Sequence, residues 1–171
     1  MSEIITRPKI VMRDMQLEDL EAVMAIEEQL FAAPWSIISY RFEVQNQTSQ
    51  NWVVEVQEDD GKRVIGMIVV WLLADKAYIA NIGVEQAYQR QGIGCRLLKR
   101  ALESCTRMGA KTASLEVRES NRAAKGMYAQ FGFEQVGRNQ GYYQDNNEDA
   151  LLFTLKQLDV EQISQIVCQT E

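Results

Sequence analysis

Apolar positions change their spacing several times along the chain, and each change marks an element boundary. Lys9 to Met15 reads as a first strand. From Gln16 to Phe31 the apolar residues Leu17, Leu20, Met24, Leu30 and Phe31 predict a helix, with Asp19 and Glu21 early, where the helix dipole favours anions. Pro34 is expected to stop it, and Ser36 to cap a short second helix through Tyr40 and Phe42 towards Gln47. Trp52 to Val56 alternates as a strand, and Asp59-Asp60-Gly61 turns it into a partner from Val64 to Leu73. A third strand, Ala77 to Val84, follows closely.

Gly92 to Gly109 has the clearest helical pattern. Ile93, Leu97, Leu98, Ala101, Leu102, Cys105 and Met108 share one face, Arg96, Lys99, Arg100, Glu103 and Arg107 the other, and Gly109 fits the C-terminal cap. Thr112 to Val117 reads as a strand, and Ser120 or Asn121 caps a helix to Phe131. Two more strands lie around Glu134 to Tyr142 and Asp149 to Leu155, and the tail from Asp159 to Val167 has weak helical amphipathicity. This order predicts a mixed α/β fold, a central sheet covered by helices. One domain over residues 1–171 is expected, with its core at about residues 9–156 and a tail from 157 to 171.

Composition narrows the chemistry. There is no histidine, which excludes a Ser-His-Asp triad, a Cys-His dyad and any His-ligated metal site. No metal is expected. Cys95, Cys105 and Cys168 are odd in number and form no C-x-x-C pair, which predicts reduced packing thiols and a cytoplasmic setting. No apolar run approaches the roughly 18 to 20 residues of a membrane span, and the first residues do not read as a secretory leader. The net charge of −6 disfavours nucleic-acid binding but is unevenly spread. Between Gln89 and Lys125 nine cations face three anions, leaving −12 for the rest. A basic centre in an acidic protein suits an anionic cofactor in one place and a cationic acceptor in another.

Gln89-Arg90-Gln91-Gly92-Ile93-Gly94 lies between a strand and the long helix, where glycines permit a tight turn and first-turn amides can meet phosphate oxygens. It lacks the G-K-[ST] of a P-loop, and Leu97 occupies the third glycine's place of a dinucleotide fingerprint.

This segment, with Asn81-Ile82-Gly83-Val84 before it, resembles the [QR]-x-x-G-x-[GA] acetyl-CoA signature of the GCN5-related N-acetyltransferase (GNAT) superfamily. Leu115 to Ala124, Tyr128, Phe131-Gly132-Phe133, Tyr142-Tyr143, Glu148-Asp149-Ala150 and Pro34-Trp35-Ser36 are similar to one branch, the bacterial ribosomal-protein-alanine N-acetyltransferases. Ile37 stands where that branch usually has an acidic residue, Tyr40 where phenylalanine is common, and Asn139-Gln140-Gly141 where a more basic stretch is usual.

The resemblance implies the GNAT fold, about seven strands with helices on both faces, and acetyl-CoA as cosubstrate. By motif, the backbone of Ile82, Gly83 and Val84 would meet the pantetheine arm. Gln89, Arg90, Gln91, Gly92, Ile93, Gly94 and Cys95 would form the pyrophosphate loop. Asn121 would bond the cofactor, and Arg122 or Lys125 its adenosine phosphates. Glu116 corresponds to the general base and Tyr128 to the general acid, while Pro34, Trp35, Tyr142 and Tyr143 flank the acceptor. The implied acceptor is a protein N-terminus, that of a ribosomal protein in the branch it resembles, and the implied state a monomer or weak dimer. Lysine side chains or small amines are alternative acceptors, and an acetyl-CoA-binding module without turnover is an alternative from another class.

Overall fold

In the computed structural model, which describes residues 9–169, the β-branched and aromatic residues of the first half build four antiparallel strands. These are β1 (Ile10–Asp14), β2 (Ser49–Glu58), β3 (Gly61–Leu73) and β4 (Lys76–Val84). Ile10 stands opposite Val56, Trp52 opposite Ile68, and Met67 opposite Gly83. The strand β5 (Thr112–Arg118) lies parallel to β4, and β7 (Glu148–Leu155) pairs between β5 and β6 (Glu134–Tyr143). Seven strands result, in the order β1-β2-β3-β4-β5-β7-β6.

Strand alternation feeds two cores, one on each face of the sheet. Val53, Val64, Met67 and Val69 pack beneath α1 (Leu20–Leu30) and α2 (Ile37–Gln45). Trp52, Ile65, Ile68, Val70 and Leu115 pack on the other side with α3 (Ile93–Arg107), α4 (Arg122–Gln130) and α5 (Val160–Gln165). The expected mixed α/β architecture with helices on both faces is present.

Local chemistry moves several boundaries. The helix expected from Gln16 begins as a 3-10 turn at Leu17–Asp19, because Gln16 and Asp19 cap one another. Pro34 does not end α1, since Phe31 is already extended. Ser36 does cap α2, accepting the Ser39 amide at 3.1 Å. Of the two candidates for α4, Asn121 is the cap, accepting from the Ala124 amide at 3.1 Å.

The tail helix exists and is short. Asp159 caps α5, and Leu158 and Ile163 are buried in the core that α3 shares. This return of the chain corrects the cysteine expectation: Cys95 and Cys168 form a disulfide, their Cα atoms 5.6 Å apart across 73 residues of sequence. No local motif reports such a pair, because only the docking of α5 on α3 brings the two together. Cys105 alone is a free packing thiol, pushed up to about 11 by burial. Residues 1–8, read above as lacking a leader, and residues 170 and 171 of the tail lie outside the described residues.

Candidate active site

The site begins where the sheet opens. β4 and β5 pair only from Lys76 to Ile79 and from Thr112 to Leu115. Beyond that point Asn81–Val84 stays with β3 and Glu116–Arg118 stays with β7, so two strand edges face each other across a cleft without ladder hydrogen bonds. A register shift opposite Val69 and Val70 places an extra residue, Ala80, on β4. Such a bulge bends a strand, here at the start of Ala80–Val84. Ile82, Gly83 and Val84, expected to meet the pantetheine arm, are all on this free edge.

The expected pyrophosphate loop closes the end of β4. Gln89 Nε2 donates to the Val84 carbonyl at 2.9 Å, and the chain turns through left-handed Arg90 (φ 61°) and Gly92 (φ 73°) into α3. The first amides of a helix have no intrahelical acceptor. Among the described residues, those of Gln91 to Cys95 donate to no main-chain carbonyl. A run of N–H groups at the positive end of a long helix is chemically an anion cradle.

The flanking cations divide. Arg122 is exposed in the first turn of α4, whereas Lys125 folds back to donate to the Glu119 carbonyl. Asn121 spends its carbonyl oxygen on the α4 cap. Cys95 contributes its backbone amide to the cradle, its sulfur being bonded to Cys168.

On the opposite side an aromatic wall rises from α2 and the sheet. Trp35 lies 5.5 Å from Tyr40 and 6.3 Å from Trp71, and Trp71 stacks 5.5 Å from Tyr78. A fully buried carboxylate, Glu27, fixes the loop that carries Pro34 and Trp35. It accepts from the Trp35 amide at 3.0 Å, from Tyr40 Oη at 2.5 Å and from Asn81 Nδ2. The Glu27 carboxyl is raised, chiefly by desolvation.

Glu116 projects from the same face of β5 as Ser114 and Arg118. Its charge is the main cause raising the Tyr142 phenol, and it adds to burial in pushing Tyr78 up to about 12 and in raising Tyr143. It therefore stands among Tyr78, Tyr142 and Tyr143. Arg118, its natural partner two residues along, pairs instead with Asp145 at 2.9 Å and Glu148 at 3.4 Å, and caps the Tyr143 ring at 3.8 Å. Glu116 is thereby left to the tyrosines, with Tyr142 as its hydrogen-bonding neighbour. Tyr128 is buried on α4 against Phe133, and burial followed by the proximity of Tyr143 raises its phenol.

Comparison with known proteins settles the class. The family model described as the acetyltransferase (GNAT) family matches residues 20–133. The chain belongs to this family. It is an acyltransferase by that membership.

Among relatives, a Bacillus subtilis protein provisionally named as a ribosomal protein bS18-alanine N-acetyltransferase is 37% identical over 85% of this chain and 95% of its own. The Escherichia coli K12 ribosomal protein bS18-alanine N-acetyltransferase is 32% identical over 82% of this chain and 93% of its own. The crystal structure of an Escherichia coli ribosomal-protein-S18-alanine N-acetyltransferase superposes with a TM-score of 0.77 at 30% identity, covering 86% of this chain and 93% of that one.

Within this GNAT site, Glu27, Trp71 and Tyr78 were absent from the residues singled out by sequence. Glu27 had a legible signal: it lies four residues after Val23 on the buried stripe of α1, where a carboxylate breaks the apolar pattern. Trp71 and Tyr78 read only as strand aromatics.

Proposed function

We propose that this enzyme transfers the acetyl group of acetyl-CoA to the α-amino group of a protein N-terminus, by direct attack within a ternary complex. The observation that carries the reading is the parting of β4 and β5 after Ile79 and Leu115. It leaves the edge of Ile82–Val84 opposite Glu116, between the Trp35–Trp71–Tyr78 wall and Tyr142–Tyr143. Acetyl-CoA fits as an extended arm along the free β4 edge, its pyrophosphate on the cradle of Gln91 to Cys95 and its adenosine phosphates towards Arg122.

In this reading a β4 amide polarises the thioester carbonyl as its oxygen gains charge. An N-terminal amine has a pKa of about 7.7 to 8.0, so a carboxylate relaying through water suffices as base, and Glu116 takes that role. The amine nitrogen bonds to the carbonyl carbon, and the carbon–sulfur bond then breaks. Tyr128, kept protonated by burial, delivers the proton to the departing thiolate. Trp35, Pro34, Tyr142 and Tyr143 hold the first residues of the acceptor.

The acceptor's identity is carried by the relatives. Two thirds or more of each chain align with enzymes named for alanine of ribosomal protein bS18, and a ribosomal protein N-terminus beginning with alanine is the proposed substrate. The whole chain is proposed to act as one unit in the cytoplasm.

The test is release of CoA thiol with short peptides that differ at the first residue, beside N-terminally blocked peptides carrying an internal lysine. Turnover confined to free N-termini, highest with alanine, is the expected result. Turnover only with lysine or small amines would overturn the acceptor and leave the fold and mechanism standing.

A further inference from the structure

The C-terminal tail crosses the anion cradle. After α5 the chain runs back along α3, where Lys99 Nζ donates to the carbonyls of Ser164 at 2.6 Å and Ile166 at 2.8 Å. Cys168 is then bonded to Cys95, the third residue of α3. At Gly92 the tail is so close that a Cβ would lie 2.8 Å from the Gln169 carbonyl oxygen and 3.3 Å from that of Cys168. Two carbonyl oxygens thus stand over the turn whose amides are the proposed pyrophosphate donors.

We propose that Cys95 and Cys168 form a thiol–disulfide control site, at which the oxidised tail straps the phosphate cradle and reduction releases it to admit acetyl-CoA. The inference rests on the cofactor placement proposed above.

Three features carry it. The strap presents backbone oxygens and bulk where a doubly charged pyrophosphate would need N–H groups, so tail and cofactor compete. The anchor is covalent only at its end: Leu158, Ile163 and Lys99 hold the tail as far as Ile166 without the sulfur bond, and among the described residues the disulfide is the covalent hold on the stretch from Val167 to Gln169. The bond is also chemically addressable. Cys168 is only partly buried whereas Cys95 is buried at a helix N-terminus, which stabilises a thiolate.

The step balances as thiol–disulfide exchange. A thiolate of a small dithiol attacks Cys168 Sγ, the Cys95 sulfur leaves as thiolate, and the reagent's second thiol resolves the mixed disulfide. The protein gains two electrons and two protons, and the dithiol departs as a cyclic disulfide. Oxidised glutathione restores the bond and leaves as two molecules of reduced glutathione.

The experiment measures acetyl-CoA affinity by calorimetry for the full chain after treatment with oxidised glutathione and after reduction with dithiothreitol, with peptide mass spectrometry reporting the Cys95–Cys168 linkage. A strap closed nine-tenths of the time weakens apparent affinity about tenfold, so reduction is expected to tighten binding by about that factor. Cys168→Ser is expected to bind like the reduced protein and to ignore both reagents. Equal affinity in the two states, tighter binding when oxidised, a Cys168→Ser protein that still responds, or failure of oxidised glutathione to link the cysteines would each overturn the strap. Absence of acetyl-CoA binding in both states and in Cys168→Ser would overturn the cofactor placement with it.

Discussion

The hydroxyl of Tyr40 donates a 2.5 Å hydrogen bond to the carboxylate of Glu27, and both residues are fully buried. No cation is bonded to that carboxylate among the described residues; its partners are neutral groups from α2, the Trp35 loop and β4. The phenylalanine common at the Tyr40 position in the related branch would leave one of these bonds unmade. Tyr40→Phe is expected to lower stability by about 1.5–3 kcal/mol, the range for a hydrogen bond to a charged group, in urea unfolding. It should also raise the acceptor KM more than the acetyl-CoA KM, because the loop it anchors carries Trp35. Equal effects on the two constants would detach this bond from the acceptor side.

Glu116→Gln should reduce kcat by about two orders of magnitude at neutral pH, the usual scale of general-base assistance, with little change in the acetyl-CoA KM. The remaining activity is expected to climb with pH as the acceptor amine loses its own proton. A variant with full turnover between pH 6 and 9 would remove Glu116 from the mechanism.

Tyr128→Phe keeps the ring that packs on Phe133 and deletes only the hydroxyl. The expected outcome is a fall in kcat of about 10²-fold with thermal stability close to that of the parent. An acetyl donor bearing a better thiol leaving group, supplied as an activated thioester, should recover part of the loss. Loss of stability without loss of turnover would make Tyr128 a packing residue.

The Ser120 side chain and then its amide, with Asn146 Nδ2 and the Arg118 guanidinium, hold the Glu148 carboxyl down at about 2. A carboxyl depressed on folding adds stability that is complete above its unfolded pKa, near 4.3, and is lost as pH falls through the folded value. The parent should therefore be more stable than Glu148→Gln at pH 6, and the gap should close between about pH 4.3 and 2. Urea midpoints of both proteins across that interval check it. A constant gap would assign the difference to packing.

Much of this molecule was legible in the chain. The two-faced pattern from Ile93 to Arg107 and the alternation in the strands are local signals, and they placed α3 and the strands to within a few residues. The glycines before α3 and the Glu116 and Tyr128 positions were legible through a family motif. What escaped reading depends on contacts between distant segments. The cleft is a place where β4 and β5 stop pairing, and neither strand's composition announces it. The Cys95–Cys168 bond spans 73 residues and depends on α5 docking against α3. Glu27 is buried without a cation because three donors from three elements converge on it.

The opening between β4 and β5 also changes what binding does to the protein as a whole. An extended arm lying in that gap would serve both unfilled margins as a guest strand, joining the β1–β4 part of the sheet to β5–β7 along the stretch where the chain leaves them unlinked. Cofactor would then be mortar as well as reagent: amide hydrogens of Ala80–Val84 should exchange more slowly, and the melting temperature should rise with the logarithm of acetyl-CoA concentration above its Kd.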